Sequence, residues 1–308
     1  MTLWQSVVLG IVQGLTEFLP VSSTAHLKIA EAFLGIQRGD PFLTSFDVII
    51  QLGTLLAVLV YFRGMIARMA GALVQGLRDG KPFGTPDARL AWFVIVGTIP
   101  VGLLGLAFEK AIDRLDLHEG LLLTVIAGSL IGLAVILYLA ERMGTQRRGL
   151  GELSWMDALV VGLAQALAIV PGVSRSGVTL TAGLFAGIRR DDAARFSFLL
   201  SIPAVGAAGG WKLLKLVRHH EIPAGSAALT SLLVGTGVSL VVGYGVIAWF
   251  LSYLRMRKTH PFVAWRLAMG ALLLVLVGRG SELVAPPQPP VAVSRSAASP
   301  AGASSAVR

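Results

Sequence analysis

The chain has 308 residues, 55% hydrophobic and 14% charged, with a mean hydropathy of +0.75. Soluble domains carry about 25% charged residues, so a water-exposed globular protein is excluded and a membrane protein is expected. The net charge of +9 would suit nucleic acid in a soluble chain, but here it gathers in the breaks between apolar runs. The clusters are Arg63, Arg68, Arg78, Lys81 and Arg89; Arg142, Arg147 and Arg148; and Arg255, Arg257 and Lys258. They read as cytoplasmic loops facing anionic headgroups, and without interleaved aromatics for base stacking they exclude nucleic acid as a partner. Cysteine is absent, which removes disulfides, thiolate catalysis and Cys-ligated metal.

The N-terminus, MTLWQSVVLG, has neither a basic n-region nor a small-residue cleavage site and reads as a first membrane segment rather than a signal peptide. Apolar runs at 45–62, 90–108, 120–140, 228–251 and 263–278 approach the roughly 20 residues of a helical span. Stretches at 3–19, 155–170 and 196–211 are marginal, and read as spans, broken helices or re-entrant segments. The runs are continuous rather than alternating, which argues against a β-barrel and predicts an all-α polytopic membrane protein. Residues 285–308, rich in Pro, Ala and Ser, are expected to be a disordered tail without a functional role.

Sliding the chain on itself exposes a repeat. A shift of 152 positions, from Gln13 to Gln165, carries GIVQGLTEFLPVSSTAH (10–26) onto GLAQALAIVPGVSRSG (162–177). It pairs Gly10 with Gly162, Val21 with Val173, Ser22 with Ser174 and Ser23 with Arg175; a shift of 150 pairs Phe46 with Phe196. Two membrane repeats are therefore expected, 1–140 and 155–284, joined by a loop at 141–154. Such repeats often have opposite topology and place sites near the midplane, where broken helices meet. Pro20 and Pro171 interrupt the backbone ladder in each copy, and irregular backbone at that depth must face protein or a cavity.

The first motif concentrates Gln13, Glu17, Ser22, Ser23, Thr24 and His26 among apolar neighbours. Gln13 and Glu17 are spaced i, i+4 and share a helix face, and Gly14 would let another backbone approach. An ionisable residue within a span is a functional candidate, although Glu17 would also serve for assembly. Ser23 and His26, at i, i+3, suit a hydroxyl with a neighbouring base or acid; a structural histidine fits as well. His118, His219, His220 and His260 fall in charged loops.

In the second motif, PGVSRSGVT (171–179), Ser174, Ser176 and Thr179 supply hydroxyls and Gly172 and Gly177 permit a tight turn. A turn ahead of a helix presents N–H groups to an anion, and Arg175 adds a planar fork suited to phosphate oxygens. Asp47 is a weaker candidate for positioning a helix or substrate. Asp191 and Asp192 read as a solvated pair capping a helix. No metal-cage spacing occurs, which leaves a Mg²⁺ or Ca²⁺ shared between Glu17 and substrate phosphates.

QGLTEFLPVSSTAH and PGVSRSG resemble the two signature motifs of the bacterial undecaprenyl-diphosphatase, or bacitracin-resistance, family. FDVIIQLGTLLAVLVYF and RFSFLLSIPAVGAAG resemble its following helices, so the likeness covers about residues 1–280. The resemblance implies a membrane hydrolase that converts undecaprenyl diphosphate to the monophosphate and inorganic phosphate, recycling a lipid carrier for peptidoglycan. It also implies inverted repeats with re-entrant helices, a bacterial inner-membrane location with a periplasm-facing site, and a divalent cation. By motif, the acidic pair falls on Gln13 and Glu17, the hydroxyl on Ser23, the histidine on His26 and the arginine on Arg175. Many members carry Glu where Gln13 stands, so acid–base or metal duty would rest on Glu17 alone.

In the expected mechanism Arg175, Ser174, Ser176 and the turn N–H groups hold the diphosphate, with Gln13, Ser22, Thr24 and Thr179 lining its site. Ser23 attacks the terminal phosphorus, His26 takes its proton or protonates the leaving group, and Glu17 orients His26 or holds a cation. Attack by water or by His26 fits the same residues. The competing class is a lipid-phosphate flippase or anion transporter on the same inverted repeat.

Overall fold

The computed structural model describes residues 1–36, 41–116, 119–218 and 226–279. The segment 285–308, and His118, His219 and His220, lie outside them. Apart from one isolated bridge between Arg148 and Ile188, regular structure among the described residues is helical. In chain order the helices are α1 (Leu3–Thr16), α2 (Ser23–Phe33), α3 (Pro41–Tyr61), α4 (Arg63–Arg78), α5 (Pro86–Asp116), α6 (Glu119–Met143), α7 (Trp155–Ala166), α8 (Arg175–Phe185), α9 (Arg190–Arg218), α10 (Ser226–Met256) and α11 (His260–Gly278).

Among the described residues five stretches are long and apolar enough to cross a membrane: Pro86–Phe108, Gly120–Met143, Arg190–Lys215, Ala227–Met256 and His260–Gly278. The run at 45–62 lies in the 21-residue α3, which a 74° bend joins to α4, and the pair counts as a possible sixth span. The marginal run at 196–211 is the interior of the long α9 span. The other marginal runs became α1 and α7, of 14 and 12 residues. At 1.5 Å per residue they reach about 21 and 18 Å, short of a roughly 30 Å hydrocarbon core.

Local chemistry explains why both short helices start and stop as they do. α1 opens on a capping box, with Thr2 Oγ1 accepting from Gln5 N and Gln5 Oε1 accepting from Thr2 N. α7 opens on the same device, built from Ser154 and Asp157, and all four residues obey the 152-position shift. The boxes satisfy orphan N–H groups of the first turn. Four residues beyond Thr16 stands Pro20, and four beyond Leu167 stands Pro171; a proline ring cannot follow a helical carbonyl at that distance. Each helix therefore ends partway.

α1 packs on α10 and α7 on α5. Gly14 permits the first contact, since a Cβ there would lie 2.8 Å from Val242 Cβ and 3.0 Å from Ser239 O. α3, α9 and α10 pack together, as do α6 and α11. The core is tied by aromatics, including Phe18 edge-on to Phe198 at 5.2 Å, a geometry worth about 0.5–1.5 kcal/mol beyond its burial.

The basic clusters gather at one end. Arg190 pairs with the buried Glu141, which also accepts from Thr259 Oγ1 at 2.9 Å. Arg255 lies 3.6 Å from Asp191 and Arg148 2.5 Å from Asp157. Phe83, beside Lys81, packs on Trp155 at the start of α7. Asp192, expected in solvent, is instead buried and bound by Arg189. His260, expected in a loop, opens α11.

Candidate active site

Each break turns on a serine with positive φ. Ser22 (φ 75°, ψ 102°) and Ser174 (φ 69°, ψ 111°) have nearly the same backbone and each caps the 11-residue helix that follows. Non-glycine residues in such regions cost on the order of 1–3 kcal/mol and persist where surroundings over-determine them. Ser22 Oγ accepts from Ala25 N, and its carbonyl accepts from His26 N and His26 Nδ1. Ser174 Oγ accepts from Gly177 N at 3.2 Å and its carbonyl from Val178 N at 2.9 Å. Gly172 (φ 88°) presses on α6; a Cβ there would lie 2.7 Å from Ile126 Cα and O.

The two turns are joined directly. Glu17, buried just beyond α1, accepts from Ser23 Oγ at 2.8 Å and Gln13 Nε2 at 3.1 Å through Oε2, and from Arg175 Nη2 at 2.9 Å through Oε1. Ser176 Oγ donates to Leu19 O at 2.9 Å. Arg175 also reaches Ser197 O, and Thr179 fixes the same strand of contacts through Arg175 O and Ser197 Oγ. Phe18 against Phe198 sets Glu17 beside Ser197. Most of the Arg175 fork lacks a protein acceptor among the described residues.

These groups border a cavity of about 210 Å³. Its polar lining residues are Glu17, Ser22, Ser23, Thr24, Gln51, Ser174 and Arg175, so the N-termini of α2 and α8 both meet it. The first N–H groups of those helices make no intrahelical bonds and their dipoles favour an anion. Val101, Ile169, Val170, Ala204, Val205 and Ala208 add apolar surface to the lining. Val101 and Ala204 directly follow Pro100 and Pro203, the prolines inside α5 and α9.

The expected residues therefore divide. Gln13, Ser176 and Thr179 stand behind the lining and brace it. His26 is the chief departure, since Ser23 Oγ bonds Glu17 rather than His26. Its Nδ1 lies 2.7 Å from Ser22 O and its Nε2 accepts from Trp265 Nε1 at 2.8 Å. With both nitrogens so engaged the ring is the neutral tautomer protonated at Nδ1. Asp47 lies on α3, 3.9 Å from Lys28, and not on the cavity. Three contributors went unforeseen: Gln51 on the lining, Ser197 behind Arg175, and the buried Arg266. Arg266 was visible as a lone charge in the run 263–278, which an average over the span conceals.

Glu17 is the lone acidic residue on the cavity, and no cluster of three His, Cys, Asp or Glu side chains exists among the described residues. A carboxylate offers about four acceptor positions and three are used. The donor set suits a Mg²⁺-like ion held by one carboxylate and substrate phosphates, and does not form an all-protein cage.

Fold and cavity together define a multi-pass helical membrane protein with a partly polar cavity where the two breaks meet. Residues 6–272 match the model of the family described as bacitracin resistance protein BacA. The chain is 50% identical over 280 residues to an undecaprenyl-diphosphatase of Myxococcus xanthus, covering 91% of each chain. It is 49% identical to one of Anaeromyxobacter dehalogenans (91% and 93% covered) and 46% identical to one of Chlorobaculum tepidum (92% and 100%). The chain belongs to the bacitracin resistance protein BacA family.

Proposed function

We infer that this chain is an undecaprenyl-diphosphatase, hydrolysing a polyprenyl diphosphate to the monophosphate and inorganic phosphate. The observation that carries the chemistry is the row Ser23–Glu17–Arg175 on a cavity that also has apolar lining residues. The polar row suits a diphosphate and the apolar residues the first part of a prenyl chain.

Ser23 Oγ attacks the terminal phosphorus, and Glu17, which already accepts its hydrogen bond, takes the proton. The bond to the bridging oxygen breaks and its electron pair stays on the departing monophosphate. Arg175 and the N–H groups of the two helix N-termini offset the developing charge, the largest contribution in such transfers. Water then attacks the phosphoserine phosphorus, the P–Oγ bond breaks as Glu17 returns the proton to Ser23 Oγ, and the water's protons leave on inorganic phosphate. Glu17, with substrate phosphates, would hold a divalent cation, whose chemical contribution is charge neutralisation. His26 fixes the Ser22 turn and takes no part in proton transfer.

We also infer that the repeats are inverted. α1 runs toward the basic end, its Gly10 against Gly235 and Gly14 against Gly243 in the same direction as α10. α7 starts at the basic end, where Asp157 binds Arg148. The basic end is then cytoplasmic. Ala204, Val205 and Ala208 lie well along α9 from its basic start, which favours access from the periplasmic side of a bacterial inner membrane.

The test is phosphate release in detergent from prenyl diphosphates of several lengths. Release by wild type, abolished in Arg175→Ala and Glu17→Ala, is expected. Transbilayer movement of the lipid without release would favour a transporter.

A further inference from the structure

Arg266, on α11, is fully buried at 0% exposure, and none of its hydrogen bonds goes to a carboxylate. It donates to five backbone carbonyls: Leu130 and Ser129 of α6 at 3.1 Å each, Pro20 of the first break at 3.2 Å, and Gly172 and Val173 of the second at 3.2 and 3.3 Å. A guanidinium out of water without an anion is costly, so five backbone acceptors around it mark a site built to hold it.

The identity of those acceptors gives the side chain its meaning. Breaking the helices at Pro20 and Pro171 frees carbonyls that no helical N–H can reach, and in membrane they need donors. Arg266 satisfies carbonyls of both breaks at once. Those carbonyls lie two residues from Ser22 and one or two from Ser174, the caps that aim Ser23 and Arg175. Trp265, its neighbour, reaches the first break again through His26 and Ser22 O. α11 thus braces both turns from behind, and Arg266 does not border the cavity.

We propose that Arg266 is a positioning residue: it fixes the two broken turns relative to each other, so that Ser23 and the Arg175 fork meet one phosphoryl group in line. The proposal rests on the hydrolase reading above. Lysine keeps the charge but offers three donors from a single point, where arginine offers a planar fork, so it cannot span both breaks and α6.

The experiment compares Arg266→Lys and Arg266→Gln with wild type by detergent melting and by steady-state phosphate release from a prenyl diphosphate. Each is also placed in a Ser23→Ala background. A variant that melts like wild type is expected to lose about 10²-fold in kcat, the effect of a small misplacement of reacting groups, with KM near the wild-type value. In the Ser23→Ala background the same change is expected to cost almost nothing, because the geometry it protects is already lost. A folded variant with wild-type kcat overturns the proposal, as does an undiminished loss in the Ser23→Ala background. If neither variant folds, Arg266 serves stability and the positioning role is rejected. A wild type that releases no phosphate would count against the hydrolase reading instead.

Discussion

The break after α1 and the break after α7 share a backbone but not a chemistry. Both start from a capping box, both stop four or five residues before a proline, and both turn on a serine with φ near 70°. Yet one places Glu17 and Ser23 on the cavity wall while the other places Ser174 and Arg175 there. At the Gln13 equivalent, Gln165 has Nε2 on Gly97 O and a buried Oε1 without a partner; its i+4 residue is Ile169 where the first copy has Glu17. The backbone is alike in the two copies, and on the proposed mechanism the side chains alone assign one to attack and the other to charge.

The largest effect should come from breaking that division at its reactive end. Ser23→Ala is expected to lower kcat by about 10⁴-fold, within the range for losing a nucleophile, while Ser174→Ala costs about tenfold, the loss of one hydrogen bond. Phosphate-release kinetics on both variants check this, and equal losses would dissolve the distinction. Next, Arg175→Lys keeps charge but not the fork, and about 10²-fold should go from kcat/KM. Gln13→Leu removes one donor to Glu17 without touching Ser23 or Arg175, and about tenfold is expected.

The smallest effect tests the likeness rather than the difference. Ser22→Gly and Ser174→Gly remove a cap oxygen but relieve the positive φ, so each should change stability by less than about 1 kcal/mol. The corresponding alanines keep the strained backbone without the cap and should each cost about 1–2 kcal/mol. Detergent melts would show the two turns responding alike; a serine that matters in one turn only would show that their backbones are held differently.

The breaks were legible because proline and serine act locally: the ladder fails four residues before the ring, whatever packs nearby. The 152-position shift also foretold Ser22 and Ser174 as equivalents, and Gly14 foretold the close approach of α10. Pairings across the molecule were another matter. That Glu17 would meet Arg175, 158 positions away, depends on how α1 and α7 dock, which no local spacing encodes. The partners of His26 were hidden for the same reason: its i, i+3 relation to Ser23 is real, but Ser22 O and Trp265 engage its nitrogens. Arg266 was overlooked because the residues around it, VAWRLAMG, average as membrane-apolar, whereas one charge among them is the informative residue. The run at 196–211 became part of a long span, and the bend between α3 and α4 went unseen because length and hydropathy do not register it.

The division of labour between the turns is tested most directly by acid-quenching the enzyme during turnover and mapping the phosphate it carries. A phosphoserine at position 23, absent from Ser23→Ala and still formed in Ser174→Ala, is expected. Phosphate on His26, or wild-type turnover in Ser23→Ala, would contradict it.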